Sequence, residues 1–192
     1  ASTWIGVAVA SAVLGLLRFQ RLRGVAVVAV IVLAAAGILF PVVWDFAGGD
    51  EEWTLSGGSR FALSGRVLSV SMRNPVTGLG PAAYRLYANA EPLQYEHIFW
   101  VSPQISSHNN YIDIFAHGGV LGIALFIWFV VEYARLSLRM YQRYTTGFAG
   151  GYVAGMIAVG SASLVLMLFA DWILPFVYNI GFDGFQASVL VW

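Results

Sequence analysis

The sequence predicts an all-α protein, a polytopic transmembrane helical bundle with a large extracytoplasmic loop carrying short amphipathic helices, and three observations carry that prediction. Of 192 residues, 59% are hydrophobic and 10% charged, with a mean hydropathy of +0.74. A soluble domain is roughly a quarter charged and has no interior large enough to hide so much apolar surface. Residues 25–44, 148–170 and most of 111–134 are apolar stretches, each long enough to cross a hydrocarbon core of roughly 30 Å as a helix. All ten basic residues are Arg, and six fall in two tracts, Arg18-Phe19-Gln20-Arg21-Leu22-Arg23 and Arg135, Arg139 and Arg143. Short Arg-rich turns between spans lie on the cytoplasmic side.

The whole chain, 1–192, reads as one membrane domain. Ala1 already stands in an apolar run with no basic segment before it, so the expectation is a helix whose start precedes the chain rather than a signal peptide. A span at 4–17 runs inward, residues 18–24 turn in the cytoplasm, and 25–44 return outward. Residues 45–110 form the outer loop. Spans at 111–134 and 148–170 follow, joined by the second basic turn, and 182–192 begin a further span. Gly147, Gly151 and Gly155, four apart, predict a close helix-packing face.

Within the loop, Gly48-Gly49-Asp50-Glu51-Glu52 and Ser56-Gly57-Gly58-Ser59 are polar punctuation. From Ser59 to Asn74 the spacing of Phe61, Leu63, Val67, Leu68, Val70 and Met72 predicts an amphipathic helix at the membrane surface, ended by Asn74-Pro75. Pro75, Gly78 and Gly80 then supply a tight turn. Pro92 and Pro103 break the following stretch, and Ser106 or Ser107 is the expected N-cap of the next helix.

The composition bears on chemistry mainly by exclusion. With no cysteine there is neither a disulfide framework nor a thiolate site. A net charge of zero argues against nucleic acid as a partner. No Asp-x-Asp pair, no metal-ligand spacing among His97, His108 and His117, and no glycine-rich phosphate loop is present. The expected chemistry is therefore metal-independent and without a cofactor.

Two residue types remain. Arg66 and Arg73 are seven apart, nearly two helical turns, so a continuous helix would carry both on one face. Paired guanidiniums suit a diphosphate, which each can grip through two hydrogen bonds; they also suit anchoring at lipid headgroups. The loop as a whole is net acidic, with Arg60, Arg66, Arg73 and Arg85 against Asp45, Asp50, Glu51, Glu52, Glu91 and Glu96. His108, at the re-entry of the loop into the membrane, is either a helix-start hydrogen-bonding residue or a base able to take a proton near neutral pH. Asp113 and His117, four apart, are expected to satisfy each other within the bundle.

Taken in order, Ser64-Gly65-Arg66, Asn74-Pro75-Val76-Thr77-Gly78-Leu79-Gly80, Ser107-His108-Asn109-Asn110-Tyr111 and Gly118-Gly119-Val120-Leu121-Gly122 resemble the signature of the O-antigen ligase and polymerase family. The resemblance covers residues 59–130 by motif. It implies a glycosyltransferase of the bacterial cytoplasmic (inner) membrane, multi-pass, with its active loop outside. By the same resemblance Arg66 holds the diphosphate of a polyprenyl-diphosphate-linked glycan donor, such as undecaprenyl diphosphate, and His108 activates a glycan or glycolipid hydroxyl acceptor; the spacing of Arg73 from Arg66 adds it to the diphosphate site. A ligase and a repeat-unit polymerase remain alternatives. So does a non-catalytic glycolipid transporter or assembly scaffold, although transporters place charge deep in several spans, and 25–44 and 148–170 carry none.

Overall fold

A computed structural model of the chain describes residues 2–18, 24, 59–81, 87, 90, 93–95, 98–100, 107–169 and 173–174. The expected spans at 25–44 and 182–192, the polar segments at 45–58, and Arg85, His97 and Pro103 lie outside the described residues. The chain divides into two compact units, residues 1–56 with 131–165 and residues 57–130 with 166–192.

In the first unit, α1 (Ser2–Arg18) and α4 (Gly147–Leu166) accompany the later part of α3 (Asn110–Arg143). α3 and α4 are each long and apolar enough to cross a membrane. The end of α1 meets the turn between them: Arg18 Nη1 donates to the Thr145 carbonyl at 2.9 Å, and the Tyr141 hydroxyl donates to the Leu17 carbonyl. Arg18 thus stands beside the turn that follows Arg143. The packed stripe of α4 is Gly150, Ala154, Ala158 and Ala162, spaced one turn apart as a single face requires. Gly147, Gly151 and Gly155, the predicted packing face, instead have no described atom within 4 Å of where a Cβ would stand. The close approach occurs at Gly160, where an added Cβ would lie 2.6 Å from Tyr133 Oη, because that hydroxyl reaches over to donate to the Met156 carbonyl at 2.8 Å.

The second unit begins with α2 (Ser59–Ser71). Its Leu63, Val67 and Val70 are buried with Ala116 of α3, and Leu79, Tyr87 and Ile112 pack against that cluster. The apolar face found by periodicity therefore covers the chain's own α3, while Phe61, Leu68 and Met72 stay exposed. Full burial of each such side chain is worth about 1.5–3 kcal/mol. The helix closes before Asn74: Met72 N–H still reaches the Leu68 carbonyl, but Arg73 and Asn74 bond to Val70 and Ser71, tightening the last turn. Between Pro92 and Pro103 the chain forms a small antiparallel pair, β1 (Leu93–Tyr95) with β2 (Ile98–Trp100), in the register Leu93 to Trp100, Gln94 to Phe99 and Tyr95 to Ile98. The architecture is helical with this one two-stranded addition among the described residues.

α3 is not the uninterrupted span expected at 111–134. Gly119 has φ 62 and ψ −156, a conformation open essentially to glycine alone, so residues 110–118 and 120–143 are separate helical pieces. The turn carrying Pro75, Gly78 and Gly80 fills the break. Leu79 N–H donates to the Ala116 carbonyl at 2.8 Å and Gly80 N–H to His117 at 3.1 Å. In return Val120 N–H reaches Pro75 at 2.8 Å and Leu121 N–H reaches Val76 at 3.1 Å. Every backbone group released at a helix break must find a partner when water is excluded, and here one turn supplies four.

Candidate active site

The first turn of α3 is built by its own side chains. Asn109 Oδ1 accepts from the N–H groups of Tyr111 and Ile112, at 2.9 and 3.2 Å, which makes Asn109 the N-cap in place of Ser106 or Ser107. Asn110 is fully buried; its Oδ1 accepts from Ile173 and Leu174 N–H, and its own N–H donates to the Met167 carbonyl at 2.9 Å. Asn109 Nδ2 adds a bond to the Leu168 carbonyl at 3.1 Å. The segment after α4 is thereby tied to the start of α3.

Ser107 is displaced from capping because its hydroxyl is engaged inward. Ser107 Oγ lies 2.8 Å from Asp113 Oδ1 and 2.7 Å from the Asn109 carbonyl, and accepts from Asn109 N–H at 3.0 Å. A hydroxyl has one proton, so it donates to one of those two oxygens at a time. Asp113, fully buried, also takes a bond from Asn110 Nδ2 at 3.5 Å. Between these residues stands His108 with φ 52, among the described residues the one non-glycine with positive φ. His visits this left-handed region more readily than most side chains, yet holding it there costs about 1–3 kcal/mol.

The Arg66 helix is seated directly on this segment. Ser64 Oγ donates to the Ser107 carbonyl at 2.7 Å, across 43 positions of sequence. Ser64 and Arg66 stand about 200° apart around α2, so the bond comes from one flank and Arg66 occupies the other, beyond the Leu63, Val67 and Val70 face. Arg66 is half-buried, and its Nε is buried entirely.

The interlock of turn and helix break also depends on missing side chains. A Cβ at Gly78 would stand 2.4 Å from the His117 carbonyl carbon, and one at Gly119 would stand 2.4 Å from the Val76 carbonyl oxygen. These elements, from α2 through Gly122, fall inside residues 1–127, which match the family model described as O-antigen ligase. The chain belongs to the O-antigen ligase family. No match was found among curated proteins or among solved structures. Membership in the O-antigen ligase family places the chain among membrane proteins of the bacterial inner membrane that serve lipopolysaccharide and polysaccharide biosynthesis, with glycosyltransferase-like activity of the ligase or polymerase type and glycolipid substrates in general.

Arg73 stands beyond the end of α2. It lies in the tightened turn after α2, exposed, with its guanidinium 4.7 Å from the centre of the Tyr87 ring, a cation–π separation. Asp113, Asn110 and Ser64 were not singled out as site residues. Helical spacing pairs Asp113 with His117; the structure also places Ser107 Oγ and Asn110 Nδ2 against the Asp113 carboxylate. The available signal was the density of polar residues in Ser106-Ser107-His108-Asn109-Asn110 beside an apolar run, since buried polar groups require partners. Among the described residues no group of three His, Asp or Glu stands together as a metal site would require.

Proposed function

We propose that the chain transfers a glycan from a polyprenyl-diphosphate carrier to a hydroxyl of a glycan or glycolipid acceptor, outside the membrane, with inversion at the anomeric carbon and without a metal. The observation that carries this reading is the Ser64–Ser107 hydrogen bond, which couples the helix bearing Arg66 to the residue preceding His108. The contact of Arg18 with the turn that follows Arg143 supports a cytoplasmic placement of that turn by the positive-inside rule. A helix of residues 120–143 is about 36 Å long, enough to cross a hydrocarbon core of roughly 30 Å.

The acceptor oxygen attacks the anomeric carbon, the bond from that carbon to the diphosphate oxygen breaks, and the acceptor proton passes to the His108 imidazole. The polyprenyl diphosphate leaves carrying the electron pair. It is already a good leaving group, so the protein's task is to stabilise its growing charge with Arg66. Arg73, held 4.7 Å from the centre of the Tyr87 ring, is the second guanidinium proposed for the diphosphate.

Arg66→Ala and His108→Ala, introduced into the chromosomal gene, are expected to abolish surface glycan transfer at unchanged membrane levels. Retained transfer in either variant removes that residue from the mechanism. Accumulated donor with long glycan chains identifies a ligase; accumulated single repeat units identify a polymerase.

A further inference from the structure

The catalytic reading assigns work to His108 and none to the buried carboxylate five residues later. We infer that Asp113 is a positioning residue that acts through Ser107 to hold the backbone at His108 in its left-handed conformation. This rests on the reading of His108 as the base. Three observations support it. Asp113 is fully buried at the start of α3, where a carboxylate is retained only if its oxygens are bonded. Residues on either side of His108 stand against its two oxygens, Ser107 Oγ at 2.8 Å, its proton shared with the Asn109 carbonyl, and Asn110 Nδ2 at 3.5 Å. The same Ser107 hydroxyl accepts from Asn109 N–H at 3.0 Å, closing a small ring around His108 and its positive φ.

The ring explains how the strain persists. A left-handed His relaxes unless its neighbours over-determine it. Here Ser107 is fixed by Asp113 on its side chain and by Ser64 on its carbonyl, while Asn109 is fixed by capping α3. The imidazole's approach to an acceptor is thereby set by α3 itself rather than by a loose loop, which is what general-base catalysis needs from its geometry.

The test compares Asp113→Asn, Ser107→Ala and Ser107→Thr in the native protein, assaying transfer from a polyprenyl-diphosphate-linked glycan in membranes and measuring kcat and donor KM separately. Ser107→Ala is expected to lower kcat on the order of tenfold to a hundredfold, as a misplaced catalytic group does, with donor KM within about twofold because the donor contacts are untouched. Ser107→Thr retains the hydroxyl and is expected to restore most of kcat. Asp113→Asn falls between them, and added to His108→Ala it is expected to lower residual transfer no further. Unchanged kcat in both Ser107→Ala and Asp113→Asn overturns the inference. So does an Asp113→Asn loss of equal size with and without His108, which marks a general structural role. If His108→Ala itself keeps full transfer, the catalytic reading falls and this inference with it; if His108→Ala is inactive while Ser107→Ala is normal, only the positioning role is lost.

Discussion

Gly78 and Gly119 in one unit differ from Gly147, Gly151 and Gly155 in the other in what stands where a side chain would be: among the described residues only the first two have neighbours there. At Gly78 and Gly119 the facing atoms are backbone, 2.4 Å from an added Cβ, and both residues have positive φ. Along α4, Gly151 and Gly155 have no described atom within 4 Å, and the chain packs instead through the adjacent Gly150 and alanine stripe. Glycine therefore carries two meanings here: in the first pair the missing side chain lets a turn enter a broken helix, and in the second set no described neighbour requires it to be missing.

The largest effect is expected from Ala at Gly119 or Gly78. Either substitution forces carbonyl groups apart in a conformation that disfavours a Cβ, and a loss of about 3 kcal/mol or more follows. Membrane levels and thermal unfolding in detergent would read it, and a wild-type melting curve in either variant would dissolve the contrast. An intermediate effect is expected at the cap of α3. Asn109→Ala removes the acceptor of two N–H groups and should cost about 1 kcal/mol, most of it recovered by Asn109→Asp; equal melting temperatures for the two variants would mean that the cap does not support the helix. The smallest effect is expected from Gly151→Ala or Gly155→Ala, within about 0.5 kcal/mol of wild type. A loss well beyond that would show that the α4 face is occupied.

Much of the helical framework was legible because hydropathy and period are local properties. α1, α2 and α4 fall close to their predicted places, and the turn at Asn74-Pro75 was read from its residue types. The β1–β2 pair was not legible, since three-residue strands are too short for an alternating pattern to register. The end of α2 moved because the last turn tightened, which leaves Arg73 beyond the regular helix. The cap was misassigned because Ser106, Ser107 and Asn109 are all good capping types, and only the Asp113 carboxylate draws the Ser107 hydroxyl inward. Nothing in the identity of His108 announces a left-handed backbone.

The sequence by itself determined the membrane class, the O-antigen ligase family and the order of the motif elements from Arg66 to Gly122, because composition, apolar run length and motif order are written along the chain. Only the tertiary structure decided that the Pro75 to Gly80 turn and the Gly118-Gly119 break are two halves of one joint. The reason is that a broken helix releases donors and acceptors with no partner in their own strand of sequence, and which distant carbonyls and N–H groups satisfy them is a property of the folded backbone alone.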